Sequence, residues 1–160
     1  MPTRLIVADL VWRPAGRPRY DGPLVLDTHI WVWMLDGSMG RCTPKLPPLL
    51  DRAAQLGRLF VSEMSFWEVA QKEAAGRLVL TMPIEAWVER AAHVSGIRYL
   101  AVDRQTLVTS TRLTEMAGDP ADRIIVAAAK LHSAPLVTVD RAIIRYAKAN
   151  RATSVCDARR

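Results

Sequence analysis

Four acidic residues stand close to points where short apolar segments of the sequence give way to segments of helical spacing. They are Asp27, Glu68, Asp122 and Asp140. If the fold brings them together, two carboxylates 4 Å apart repel by about 4 kcal/mol at an effective dielectric of 20. Such a cluster needs protons or a cation, and hard oxygen donors without a His or Cys partner favour Mg²⁺ or Mn²⁺. A divalent ion held there could activate water and stabilise the oxyanions of a phosphodiester displacement.

Asp122 belongs to the segment 117–132, which has the features of a well-capped helix. Gly118 interrupts the preceding structure, Asp119 occupies the N-cap position and Pro120 the first helical position. A carboxylate in the first turn is stabilised by the positive end of the helix dipole. A capped helix with an acidic first turn therefore accounts for these residues without any site, and it is the placement of the other three acids that favours a site.

The other three acids each follow a short apolar run. Asp27 and Asp140 come directly after predicted strands, whereas Glu68 lies several residues beyond one. Two interpretations of Glu68 stay open. Ser65 and Glu68 match a capping box, in which the carboxylate accepts a backbone N–H. A helix that begins nearer Ser62 would instead place Glu68 one turn in, free to face the end of the strand.

Apolar runs alternate with amphipathic helical segments throughout the chain. Strands are predicted over 24–26, 59–61, 98–101 and 136–139, with an edge strand over 154–156, and helices over 29–35, 48–56, 64–75, 83–95, 103–112, 117–132 and 141–149. This alternation predicts an α/β fold, with three layers (α/β/α) around a central, mostly parallel sheet of four to five strands. Right-handed crossovers place the strand C-termini along one edge, where sites form in open sheets.

Length and charge limit the classes of function. The chain has 160 residues, half of them hydrophobic, which suits one domain over 23–160, preceded by a flexible basic leader over 1–22. There are 22 Lys and Arg against 16 acids, a formal net charge of +6. Residues 1–23 account for +2 of this charge, so the domain itself stays basic. A basic domain favours polyanionic partners, nucleic acid above all. Within the leader, a short strand over 5–7 fits the pattern.

The compartment is predicted from cysteine usage and from the apolar runs. Cys42 and Cys156 lie far apart and match no metal spacing, which fits thiols in a reducing cytosol, although a single disulfide stays open. No apolar run is long enough to cross a membrane, and no signal-peptide pattern is present. The sequence thus predicts a cytoplasmic protein without a membrane partner.

Several residues next to the acids have two interpretations. Thr28 and Thr138 could orient a carboxylate or a metal-bound water, or they could be ordinary β-branched residues at strand ends. Arg123 could contact a phosphate or pair with Asp119. Lys72 lies four residues after the acid of its helix, the spacing of an ion pair.

Four blocks of the sequence, taken together, resemble the PIN domain, and more closely the VapC-type toxin ribonucleases of bacterial toxin–antitoxin pairs. The blocks are LVLDTHIWVWML, LFVSEMSFWEVAQKEAAGRL, DPADRIIVAAAKLH and PLVTVDRAIIRY, in the expected order between Leu24 and about Tyr146. In that family the metal pocket is formed by a strand-ending Asp, a helical Glu, the Asp of a D-R pair and the Asp after T-x. In this sequence these positions are Asp27, Glu68, Asp122 and Asp140.

The resemblance implies a Mg²⁺- or Mn²⁺-dependent endoribonuclease that acts on RNA, forms a homodimer and is blocked by a small antitoxin. Asp119 matches an additional acid of the family, to which the resemblance assigns a structural role. The chain departs from the family pattern in its leader and at Ala121, where an aromatic residue is more usual.

Two other functions are weighed against this one. The alternative is a non-catalytic PIN-like module that binds RNA or protein, and the presence of all four acids disfavours it. A phosphatase with Asp27 as nucleophile is less favoured, because His29 stands where a second acid would be required.

Overall fold

A computed structural model describes residues 4–6, 20–116, 118–150 and 153–160. The described residues form one six-stranded sheet in which every strand pair is parallel. The strands are β1 (Arg4–Ile6), β2 (Leu24–Leu26), β3 (Leu59–Ser62), β4 (Ile97–Leu100), β5 (Leu136–Thr138) and β6 (Val155–Asp157). Their order across the sheet is β1-β6-β5-β2-β3-β4. The predicted α/β class with a parallel sheet is confirmed, and the described sheet has six strands where four to five are predicted.

Seven helices connect these strands in the described part of the chain, and their bounds agree with the predicted segments to within three residues. They are α1 (Thr28–Asp36), α2 (Leu46–Gln55), α3 (Met64–Ala74), α4 (Ile84–Ala92), α5 (Arg104–Ser110), α6 (Pro120–Leu131) and α7 (Arg141–Ala149), with a 3₁₀ turn at Met39–Arg41. None of these described helices combines the length with the apolar character that it would need to cross a bilayer.

The two faces of the sheet carry separate hydrophobic cores. Side chains alternate along β2, so Leu24 and Leu26 join the core formed with α1, α2 and α4, while Val25 joins the core formed with α6 and α7. Trp31 is fully buried in the first core, where it makes edge-on contacts with the rings of Phe66, Trp87 and Tyr99. The result is the predicted three-layer arrangement.

The position of β6 differs from the prediction of an edge strand. β6 lies inside the sheet, with β5 on one side and β1 on the other. The N-terminal strand covers backbone groups that an edge would leave unpaired, and no pattern local to 154–156 reveals such a long-range partner. The strand predicted over 5–7 is observed at Arg4–Ile6, and Val7 lies outside the described residues. Most of the predicted leader, residues 7–19, also lies outside them, so its flexibility stays a prediction.

Candidate active site

Asp27 is held at the end of β2 by hydrogen bonds to both of its carboxylate oxygens. Its Oδ1 accepts from the backbone N–H of Thr28 at 2.8 Å and so caps α1. Its Oδ2 accepts from Thr138 Oγ1, at the end of the neighbouring strand β5, at 2.6 Å. The side chain is 2% exposed. Because the start of α1 and the end of β5 each hold one of its oxygens, Asp27 can adopt few other positions.

Glu68 lies one turn into α3 and points towards the same place. The helix begins at Met64, so Ser65 is already helical and the capping-box interpretation is wrong. Instead, Glu68 Oε2 accepts from Thr28 Oγ1 at 2.6 Å, and Ser65 Oγ lies 2.9 Å from that hydroxyl. Since Thr28 has one hydroxyl proton, Ser65 is the donor in the second contact. The glutamate is buried although it is ionisable.

Asp122 enters the site from the first turn of α6. Asp119 caps this helix, with its Oδ1 accepting from Ala121 N at 3.0 Å, as the sequence predicts. Gly118 precedes the cap with φ of 136°, a backbone conformation that side chains rarely adopt. A Cβ at Gly118 would lie 3.5 Å from Asp122 Oδ2. The backbone at Gly118 therefore passes close to the Asp122 carboxylate.

Three of the four predicted acids come together. Asp27, Glu68 and Asp122 each offer one carboxylate oxygen, and these oxygens lie within 4.8 Å of one another. Burial, followed by the charges of the neighbouring carboxylates, raises the pKa of Asp122 to about 7. Burial also raises the pKa of Asp27, against the opposing effect of the hydrogen bond from Thr138. The metal-free cluster is therefore electrostatically strained and prefers to hold a proton.

Asp140 lies beside this cluster rather than within it. Its Oδ1 accepts from Ala142 N at 2.6 Å and from Ile143 N at 3.1 Å, so it caps α7. Its backbone N–H donates to Thr138 Oγ1 at 2.9 Å. Its charge still contributes to the raised pKa of Asp122, which places it at the border of the same negative region. The sequence predicts four converging carboxylates, and in this geometry the fourth serves as a helix cap at the rim.

The family to which this arrangement belongs follows from comparison with known proteins. The model of the PIN domain family matches residues 24–149, which includes all three clustered acids and Asp140. The chain belongs to the PIN domain family. Among curated relatives of this PIN domain is Ribonuclease VapC22 of Mycobacterium tuberculosis, which is 29% identical over 119 residues, or 74% of this chain and 87% of that protein.

Solved structures share the fold at low sequence identity. This PIN domain is similar to the DNA-bound VapBC of Salmonella typhimurium, with a TM-score of 0.60, 16% identity, and coverage of 84% of this chain and 96% of that one. It is likewise similar to VapBC2 from Rickettsia felis bound to a promoter DNA fragment, with a TM-score of 0.59, 14% identity, and coverage of 83% and 96%. These likenesses support the three-layer fold of the PIN domain.

A lysine contacts one of the clustered acids of the PIN domain. Lys72 Nζ forms the predicted i,i+4 ion pair with Glu68 Oε1 and lies 3.4 Å from His29 Nε2. His29 Nδ1 is in turn 4.0 Å from Asp27 Oδ2. One ammonium group offsets part of the negative charge, but the pKa of Asp122 is still raised to about 7. Arg123 is half-buried directly after that aspartate, and its contact with phosphate stays a prediction.

The donor set fits a divalent cation. Three carboxylates supply hard oxygen ligands, the type that Mg²⁺ and Mn²⁺ prefer. A cation among them would replace the proton that Asp122 otherwise holds and would remove the mutual repulsion. The donors do not distinguish Mg²⁺ from Mn²⁺.

Sequence reasoning did not recognise the role of Ser65. One of the two interpretations that the sequence leaves open makes this serine a helix cap, whereas its hydroxyl contacts Thr28, which binds Glu68. The available signal was the i,i+3 spacing of Ser65 and Glu68, which places both on one face of a helix that begins before them.

Proposed function

We propose that this PIN domain is a divalent-metal-dependent endoribonuclease that hydrolyses RNA phosphodiester bonds, and that it is the toxin of a toxin–antitoxin pair. The observation that carries the proposal is the convergence of three carboxylates, two buried and one partly buried, at the C-terminal edge of a parallel sheet. Further support comes from the family match over 24–149 and from the likeness to a ribonuclease.

Each predicted site residue has a role in this proposal. Asp27, Glu68 and Asp122 would hold the ion, with Asp140 adding negative charge at the rim. When bound, Mg²⁺ or Mn²⁺ supplies an activated water and stabilises charge on phosphate oxygens. The metal ligands would be positioned by Thr28, Thr138 and Asp119. Arg123 would contact a phosphate, and the basic body of the domain would hold the RNA backbone.

The partners follow from the same proposal. Two of the similar structures are VapBC assemblies, one described as DNA-bound and one as bound to promoter DNA. We infer that a small antitoxin binds this chain and blocks its acidic centre, and that the toxin itself is a homodimer in the cytoplasm.

Removal of divalent ions is expected to stop RNA cleavage. EDTA should abolish it, and Mg²⁺ or Mn²⁺ should restore it, because without the ion the negatively charged cluster repels the phosphodiester and offers no Lewis acid to its oxygens. Ca²⁺ should restore it poorly, since its coordination is looser and its ligand distances are longer. The measurement is cleavage of labelled RNA by the purified chain, together with Mn²⁺ titration by calorimetry. Full cleavage in chelator would contradict the mechanism, and RNA binding without Mn²⁺ binding or cleavage would favour a non-catalytic PIN-like module.

Substitution of Thr138 by valine is expected to lower Mn²⁺ affinity about tenfold to a hundredfold, the range seen when a group that orients a metal ligand is lost. Valine keeps the shape of threonine but removes the hydroxyl that donates to Asp27 Oδ2 and accepts from Asp140 N. Calorimetry measures the change. The control is Thr111→Val, which removes an exposed hydroxyl bonded to its own helix. Equal affinities of the two variants would show that Thr138 does not position Asp27.

A further inference from the structure

A basic hollow of about 230 Å³ lies between α7 and the end of β6. Five cationic side chains line it: Arg141, Arg145, Lys148, Arg159 and Arg160. Among the described residues that line it, Asp157 is the one acid. Five positive charges against one negative charge form a marked local excess in a chain with a net charge of only +6. None of these residues has a role in the acidic centre described above.

The pattern of α7 produces one wall of the hollow. Arg141, Arg145 and Lys148 follow i, i+4 and i+7 spacing, so they share one face of the helix, and all three are exposed. Ile143 and Ala147 are buried on the opposite side against the sheet. The amphipathic helix therefore presents a row of cations to solvent while its apolar side anchors it.

Asp157 helps to organise the other wall. It is buried at the end of β6, and its Oδ1 lies 3.4 Å from Arg159 Nε and accepts from Arg159 N at 3.1 Å. Its Oδ2 lies 3.9 Å from Arg160 Nε. One buried carboxylate thus holds Arg159 and lies within ion-pair distance of Arg160, and both arginines line the hollow. The guanidinium groups are partly preorganised for an anionic ligand that offers paired oxygens.

The hollow lies on the same edge of the sheet as the acidic centre. Thr138 and Asp157 are register partners on the adjacent strands β5 and β6, and neighbouring strands are about 4.8 Å apart. Thr138 in turn donates to Asp27 Oδ2. Arg141 directly follows Asp140, at the rim of the negative region. An extended polynucleotide that crosses the end of β5 would therefore pass directly from the acidic centre to the cations of the hollow.

We propose that this hollow binds backbone phosphates of an RNA strand whose neighbouring phosphodiester lies at the acidic centre. The inference rests on the proposed function and extends it by assigning a substrate-binding subsite. The ligand class is a single-stranded polynucleotide, recognised through its phosphates and independently of base sequence. The site adds affinity for RNA that spans both regions and takes no part in bond cleavage.

The test compares two triple variants with the same loss of charge. Arg141→Gln/Arg145→Gln/Lys148→Gln removes the cations of α7, and the control set lies on α5, the turn after it and α6. The control is Arg104→Gln/Arg112→Gln/Lys130→Gln, all three exposed and absent from the lining of the hollow. Binding of a short labelled single-stranded RNA is measured by fluorescence anisotropy in EDTA, so that no cleavage occurs, over a series of salt concentrations.

The α7 variant is expected to bind RNA about tenfold more weakly at low salt, and its salt dependence should flatten by about 0.7 for each phosphate that the variant no longer binds. The control variant should change both quantities far less. Single-stranded DNA of the same sequence is the second arm: an equal loss shows that phosphates alone are bound, and a smaller loss shows that the ribose contributes. Equal effects of the two triple variants, or none, would overturn the proposal.

Cleavage assays separate this inference from the proposed function. With Mg²⁺, the α7 variant should raise KM for long RNA and leave kcat unchanged, while cleavage of a dinucleotide, too short to reach the hollow, should be unaffected. If the unmodified chain cleaves no RNA, the proposed function fails, yet the difference in anisotropy would still report the phosphate site. An equal loss of dinucleotide cleavage would instead place the α7 cations at the reaction centre and overturn the assigned role.

Discussion

Replacement of Asp27 by asparagine is expected to lower the rate of RNA cleavage by roughly a thousandfold. The substitution removes one of three carboxylates whose oxygens converge within 4.8 Å, and with it the charge that holds a divalent ion. Metal ions contribute several kcal/mol of transition-state stabilisation, and each 1.36 kcal/mol corresponds to about a factor of ten in rate. The measurement is single-turnover cleavage of labelled RNA at saturating Mg²⁺.

The fold should survive this substitution because asparagine can keep the hydrogen bonds of Asp27. Its amide oxygen can accept from Thr28 N, and its NH₂ can donate to Thr138 Oγ1, which then acts as an acceptor. Circular dichroism and thermal unfolding check this point. Asp51→Asn, an exposed change of the same chemistry on α2, is the matched control and should cleave normally. Undiminished cleavage by a folded Asp27→Asn variant would remove this residue from the site.

The capping and functional interpretations of the aspartates turn out to be compatible. Asp27 caps α1 with Oδ1 and still contributes an oxygen to the cluster. Asp119 is a cap whose charge also raises the pKa of Asp122. A parallel sheet places helix N-termini at the edge where its strands end, so carboxylates that cap those helices are already close to one another. Sequence patterns identify such aspartates but do not distinguish the two roles.

Local patterns were sufficient for most elements of this fold. The strand–acid–helix order at Asp27 and the Asp–Pro pair before α6 predict the positions of these elements closely, because both patterns depend only on residues that are neighbours in the sequence. The pairing of β6 with β1 could not be inferred, because it joins residues about 150 positions apart. Asp140 stands apart from the other acids because its Oδ1 accepts backbone N–H groups of its own helix, α7. No spacing rule in the sequence predicts that contact.

Replacement of Asp122 by asparagine is expected to stabilise the metal-free protein, and to do so increasingly as the pH rises towards neutrality. In the folded chain the pKa of Asp122 is raised to about 7 from its usual value of 3.8. Between these values the folded state holds a proton that the unfolded state has released, so the free energy of unfolding falls as the pH rises. Asparagine does not titrate and removes this loss, which is complete above about pH 7.

The effect should be visible in thermal unfolding in EDTA. Because Asp122 is partly exposed, solvent screening reduces the expected gain to about 1–2 kcal/mol, or roughly 2–8 °C in Tm near pH 8, with little gain near pH 4. Asp51→Asn, which is exposed, should show no such trend. Added Mn²⁺ should raise the Tm of the unmodified chain more than that of the variant, since the ion stabilises the charged carboxylate that asparagine lacks. A gain in Tm that is the same at both pH values would mean that the burial of the Asp122 carboxylate and its repulsion by the neighbouring acids do not set the stability of this site.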